Sequence, residues 1–253
     1  LSSVTIPSSV TSIGHSAFRD CHNLISVTIP KSVTSIGDFV FEFCSGLSSI
    51  IVEEGNAIYD SRNNCNAIIE TASKELKYGC MNTIIPDDVT SIGLAAFSGA
   101  TNLASMVIPD GVTSIREYAF TNCIALNAIT IGNGVTVIGD FAFNQCNTLS
   151  SLTIGNNVTT IGHFAFFGCN SLTSVTIPNS VTSLCNGVFA ACTQLSSVII
   201  CNSVSSIGEG AFNKCKNLTE VIIPDSITNI GTGAFKECEH IQNLIFGKAV
   251  KKI

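Results

Sequence analysis

At 253 residues the chain is long enough for one large domain or two ordinary ones. Apolar residues make up 45% and charged residues only 12%, about half the usual ~25%, which excludes a charge-rich disordered tail and a coiled coil. A net charge of −6 with 12 scattered Lys plus Arg leaves no basic stripe for phosphates, so nucleic acid is not expected as a partner. Mean hydropathy is +0.44, yet small polar residues interrupt every apolar run well before the ~18 residues of a membrane span.

In chain order the first element is Val4-Thr5-Ile6, an apolar, polar, apolar triplet of β-branched residues that reads as a short half-buried strand. Pro7 follows and stops it, because proline cannot donate to a ladder. The same pattern returns at Val27-Thr28-Ile29-Pro30, and eleven such strands can be counted, ending at Leu244-Ile245-Phe246. Phe18 and Phe41 are 23 residues apart, and Phe97, Phe120, Phe143, Phe166, Phe189, Phe212 and Phe235 keep that spacing. All six prolines fall in the column after the strand.

A 23-residue unit cannot bury its apolar face alone, so the units are expected to stack into a solenoid with one continuous core. At about 4.8 Å between neighbouring coils, eleven strands make an arc of about 50 Å. The nine column phenylalanines, at ~1.5–3 kcal/mol each on burial, are its main source of stability. The second half of each unit, as in Val33-x-x-Ile36-Gly37 and Phe41-x-x-Cys44-x-x-Leu47, has apolar residues three apart, which predicts a 3₁₀ or single helical turn.

One coil is longer. Between Phe41 and Phe97 lie 56 residues rather than two periods of 23 (56 − 46 = 10), so the coil carries ten extra. Residues 53–79 read as an irregular coil with two short strands around Ala72-Ser73, a hairpin protruding from the array. Pairing about that turn puts Ile69 opposite Leu76, Ala67 opposite Tyr78 and Cys65 opposite Cys80. Two readings stand for these cysteines: a disulfide closing the hairpin, or Cys80 as plain core, since it occupies the Leu column. Leu1 falls in the Leu column and Ile253 in the Ile36 column, so residues 1–253 read as a single solenoid cut from a longer array. It is expected to be a monomer whose open end coils can associate.

Eight cysteines (21, 44, 123, 146, 169, 192, 215, 238) share a column three residues after the Phe, where Ala100 appears once. A position that accepts Ala is small, apolar and buried, which predicts free, inert thiols. No short Cys pair offers a zinc chelate. Cys185 and Cys201 stand alone in the Gly and Pro columns, and the sequence does not set their redox state. The four histidines are scattered, no hydrolase, zincin, P-loop or dinucleotide motif occurs, and no Ser column adjoins an activating base. No enzyme, metal or cofactor is expected.

The outward column of the strands is the informative one. Thr5 and Thr28 are followed by Ile51, Ile84 and Val107, then Thr130, Thr153 and Thr176, then Ile199, Ile222 and Ile245. Two aliphatic runs thus flank a threonine run, and contiguous exposed apolar patches on a curved solenoid mark interaction surfaces. A second threonine column (Thr11, Thr34, Thr90, Thr113, Thr136, Thr159, Thr182) raises a regular array binding ice or polysaccharide as an alternative, and the isoleucines in the strand column make a flat ice-binding face a poor fit. Tyr118, Phe141 and Phe164, two residues before the core Phe, read as supplementary core.

The unit Leu-x-x-Val-x-Ile-Pro-x-x-Val-x-x-Ile-Gly-x-x-Ala-Phe-x-x-Cys-x-x resembles the BspA-like leucine-rich repeat over essentially the whole chain. The irregular coil, with Val52-Glu53-Glu54-Gly55-Asn56, Tyr59-Asp60-Ser61 and Cys65-Asn66-Ala67-Ile68-Ile69, resembles a variant unit of these proteins. The resemblance implies an α/β repeat: a right-handed leucine-rich-repeat solenoid with parallel short strands on one face. It also implies a secreted or cell-surface protein without catalysis, an adhesin contacting host extracellular or surface proteins or other cells. The alternatives are a structural spacer displaying another domain, and a glycan-binding module. The asparagine column of the better-known repeat is here Ser9, Ser32, Asp88, Gly111, Gly134, Asn157, Ser180, Ser203 and Ser226, so that class's coil shape does not transfer.

Overall fold

In a computed structural model, which describes residues 1–252, the chain is a solenoid of stacked coils of about 23 residues. Ile253 lies outside the described residues. The triplets form parallel ladders in 23-residue register: Ser26–Ile29 pairs with Ser49–Val52, and Ser105–Ile108 with Ala128–Ile131 and then Ser151–Thr153. Inward and outward positions alternate along each strand, so Val27 and Ile29 are buried while Ser26 and Thr28 face out.

The expected helical turns are absent. Among the described residues the only helix is one 3₁₀ turn, Arg62–Asn64. The Val33-x-x-Ile36 half instead forms two-residue strands, Ser35–Ile36 and its equivalents, which make a second parallel ladder. The Phe half is a run of reverse turns in which Ala17 N–H bonds to Gly14 C=O, Arg19 to Ser16 and Cys21 to Phe18. Turns advancing in such steps give the same apolar spacing as a helix. In all nine coils the residues two before and two after the core Phe have φ between +51° and +72°, from Ser16 and Asp20 to Gly233 and Glu237. These left-handed residues turn the chain so that Phe N–H reaches the next coil, as in Phe97 to Ala119 C=O and Phe120 to Ala142 C=O, both at 2.7 Å. Three kinds of ladder therefore bind coil to coil, with breaks in the strand ladders at several junctions.

The core phenylalanines stack in two columns, Phe18 on Phe41 and Phe97 through Phe235, with centroids 4.8–5.9 Å apart and interplanar angles of 3–11°, and Phe41 meets Tyr78 edge-on. Seven are buried, and Phe18 and Phe235, in the end coils, are half-buried. Seven of the eight column thiols, all but Cys21 in the first coil, reach the carbonyl of the preceding coil's Phe, as in Cys146 Sγ to Phe120 O at 3.2 Å and Cys192 Sγ to Phe166 O at 3.2 Å. The column thus takes a small residue, as Ala100 shows, and cysteine adds a weak donor to the small side chain. Burial pushes the Cys44 and Cys146 thiols up to about 12 and that of Cys238 up to about 11, and all twelve cysteines are free.

The long coil does not protrude. Ala67–Glu70 and Glu75–Gly79 pair antiparallel, and Glu75–Gly79 continues the second ladder by pairing parallel with Ser91–Ile92. Ile68, Tyr78 and Cys80 face the N-terminal core, whereas Cys65, Ala67, Ile69 and Leu76 face the C-terminal one. The core is therefore two clusters divided by a hairpin buried on both sides. A bulge between Ile68 and Ile69 keeps Ile69 opposite Leu76 but places Ala67 opposite Gly79 and Ile68 opposite Tyr78. Cys65 and Cys80 are separate thiols, which donate to Ala67 O and Asn66 O at 3.9 and 3.4 Å.

Side chains tie this coil to the one before it. Asn56 Nδ2 donates to Pro30 O and Val33 O, its Oδ1 accepts from Ile58 and Tyr59 N–H, and Tyr78 Oη donates to Gly37 O at 2.6 Å. Arg62 binds Asp60 in bidentate fashion and also Asp88. Burial opposes ionisation of Asp60, but the bonds from Arg62 and Thr71 outweigh it and hold the carboxyl below its ordinary range.

Candidate interaction face

The alternation that buries Val27 and Ile29 puts the middle residue of every triplet outward. Ile51, Ile84, Val107, Ile199, Ile222 and Ile245 are 50–77% exposed, and Thr130, Thr153 and Thr176 between the two runs are exposed as well. Where strands pair, these residues are direct neighbours: Thr28 beside Ile51, Val107 beside Thr130, Thr130 beside Thr153, Thr176 beside Ile199, and Ile222 beside Ile245.

The strand ladder is interrupted at both aliphatic runs, and also within the threonine run between Ser151–Thr153 and Ser174–Thr176, which side-chain patterning does not reveal. Ser197–Ile199 and Glu220–Ile222 are joined only at Ser197–Glu220, and a cleft of about 440 Å³ opens between Ile199 and Ile222. A second cleft, of about 650 Å³, separates Thr83–Asp87 from Ser105–Ile108 and runs between Ile84 and Val107. Here the long coil is responsible. Ile84 N–H donates to Cys65 O at 3.1 Å and Thr83 Oγ1 to Asn66 O at 2.6 Å, so residues 83–84 are held towards the hairpin side while the side facing Ser105–Ile108 stays unpaired.

The other surface columns are internally committed. The hydroxyls of Thr113, Thr136 and Thr159 donate to the Thr carbonyl one coil back at 3.0–3.1 Å, which occupies the donors a glycan array would use. Tyr118, Phe141 and Phe164 stack at 5.1 and 5.3 Å, so they cover one another's faces and show solvent their edges. Gly187 closes this ladder: a Cβ there would lie 2.2 Å from the Phe164 ring. A short polar ladder also runs along the strand exits, where Asp110 Oδ1 accepts from Asn133 N–H and Asn133 Oδ1 from Asn156 N–H at 2.7 and 3.0 Å. The Asp/Asn run just after the Pro column was its sequence signal. Among the described residues no cluster of His, Cys, Asp or Glu has metal-site geometry, and no helix is long and apolar enough to cross a membrane.

Among solved structures, a leucine-rich repeat protein from Eubacterium ventriosum is similar, with a TM-score of 0.82, 30% identity, and coverage of 92% of this chain and 64% of that one. A leucine-rich cell surface protein from Faecalibacterium prausnitzii matches at 0.62 and 27% identity, over 96% of this chain and 53% of that one. The pneumococcal vaccine antigen PcpA shares the fold at 0.62 and 22% identity, over 96% of this chain and 59% of that one. The chain thus spans less than two thirds of the length of each. No curated protein matches it. The model of the BspA-type leucine-rich repeat region matches in 6 copies over residues 1–76, 73–195 and 136–253, and with the 23-residue coils and the Phe and Cys columns this places the chain in the BspA-type leucine-rich repeat family.

Proposed function

We propose that this chain is a secreted or cell-surface binding module that contacts host extracellular or surface proteins, or other cells, through the outward face of its strands. The observation that carries the reading is the pair of aliphatic runs, Ile51-Ile84-Val107 and Ile199-Ile222-Ile245, exposed where threonine would serve a β-strand equally well. The description of the Faecalibacterium relative as a cell surface protein supports the location. We read the coil as right-handed, the hand that parallel strand–crossover–strand connections take in ~98% of cases. Within residues 1–253 the long coil, 53–79, then serves as a partition that shapes the face.

The energy of such a contact comes from desolvating the aliphatic residues, while Glu220 and the rim serines stay wet and contribute little. Ile222→Asp puts a charge at the centre of one run without touching the buried Val221 and Ile223. Binding of labelled protein to cultured epithelial cells and to immobilised matrix extract is expected to fall at least tenfold, about 1.4 kcal/mol, and stability to change by less than ~1 kcal/mol. Thr153→Asp, in the threonine run, is the matched control and is expected to matter less. Equal effects from both, or none from either, would move the site off this face and favour a spacer that displays another domain.

A further inference from the structure

We propose that the cleft between Thr83–Asp87 and Ser105–Ile108 receives an extended peptide segment of a partner protein, with alternating aliphatic residues and a basic residue at one end. The proposal rests on the reading of the strand face as a protein-binding surface and specifies what that surface takes here.

The main chain points to a peptide. In Ser105–Ile108, Ile108 C=O accepts from Gly132 on the following coil. Successive residues of a parallel strand direct their N–H and C=O groups to opposite neighbours, so Met106 and Ile108 serve the following coil and Val107 serves the preceding one. A continuous ladder would join Val107 N–H to Thr83 C=O and Ile85 N–H to Val107 C=O, and neither bond is formed. Val107 therefore presents a donor and an acceptor of one rung inside a concave site. Another extended main chain satisfies that rung directly, which is how strands add to an open edge.

The side chains narrow the choice. Ile84 and Val107 wall the cleft and are 77% and 67% exposed, which suits an aliphatic residue. No aromatic lines the cleft as a platform for a sugar ring. Asp87 and Asp110 stand at its strand-exit end. Asp110 spends one oxygen on Asn133 N–H, and Asp87 has no ion pair among the described residues. Two carboxylates without a cation favour Lys or Arg at that end and repel nucleic acid. About 650 Å³ lies within the roughly 300–1,000 Å³ of ligand sites.

The test is fluorescence polarisation with two labelled heptapeptides, Thr-Val-Thr-Ile-Thr-Arg-Arg and its reversed sequence, which cover both strand directions. At least one is expected to bind saturably, with a tenfold or greater loss when the arginines become glutamates or when alternate peptide amides are N-methylated. Asp87→Asn with Asp110→Asn, which keeps the acceptor for Asn133, is expected to weaken binding at least fivefold. Val107→Pro, which removes the N–H facing the cleft, is expected to weaken it at least tenfold with an unchanged circular dichroism spectrum. Ile84→Asp checks the wall independently. Indifference to N-methylation, or equal binding of the glutamate peptides, would overturn the proposal. So would a dimer seen by light scattering that Val107→Pro dissolves, since a second copy would then fill the cleft. If neither peptide binds while Ile222→Asp still lowers cell binding, the cleft proposal falls and the broader reading stands.

Discussion

Phe143 is the most exacting place to perturb the stack. Its side chain is fully buried and lies between Phe120 and Phe166, each 5.1 Å away and within 7° of parallel. Phe143→Ala removes ~1.5–3 kcal/mol of transfer free energy and leaves a cavity between two rings whose backbones are fixed by the Phe N–H ladder, so the gap cannot close. The expected loss is ~3–5 kcal/mol. In a solenoid each coil contacts only its neighbours, so the lesion also separates the coils on either side. Phe235 offers the internal comparison: it is half-buried and stacks on Phe212 alone, at 5.5 Å. With one flank instead of two, Phe235→Ala is expected to cost roughly half as much. Urea melts followed by far-ultraviolet circular dichroism measure both. A loss below about 1 kcal/mol for Phe143→Ala, or equal losses for the two variants, would refute the stacked-core reasoning.

The remaining predictions concern the thiols and the left-handed turns. Cys146 is buried and its folded pKa is raised to about 12 from the ordinary 9.0, so its contribution is complete below pH ~9 and is lost as pH rises towards the folded value. Between pH 9 and 10 this thiol should cost about 1 kcal/mol, and Cys146→Ala should shrink the alkaline loss in melts by that amount; an unchanged loss would mean the thiol is not buried. Unfolded, unreduced protein is expected to titrate with twelve thiols, matching the twelve free cysteines, whereas ten would join Cys65 to Cys80. Lys214 is exposed at φ +63°, so Lys214→Gly should stabilise by roughly 0.5–1 kcal/mol. Gly187→Val, at φ +59° and against the Phe164 ring, should destabilise by more than about 2 kcal/mol; thermal melts that order the two the other way would contradict the turn assignment.

What the sequence revealed follows from what repeats. Phe, Pro and the strand triplets recur at one spacing, so the stack and its inward residues were readable from Phe18 to Phe235. The Cys column was readable as small and buried, but its bond to the Phe carbonyl spans 26 residues and needs the coil offset to be seen. The left-handed positions carry Ser, Asp, Phe, Tyr, Ala, Asn, Gln, Lys, Glu and Gly, so no residue type marks them, although Gly187, Gly210 and Gly233 share one column. The turns read as helix in the sequence because both place apolar residues three apart. The hairpin's burial was announced by Ala67-Ile68-Ile69, apolar at consecutive positions as in a strand covered on both faces. The clefts were not legible, because they are failures of main-chain pairing beside Ile84 and Ile222 and side chains do not report them.

The central claim is that the strand face, and not the turns, meets the partner. Photo-crosslinking tests it most directly: a benzoylphenylalanine placed singly at Ile84, Ile222 or, on the turn side, Ile124, each exposed in the structure, is irradiated after binding to epithelial cells. Adducts to cell-surface protein from the Ile84 and Ile222 positions, with none from Ile124, are the predicted result. Adducts from Ile124 alone would contradict it.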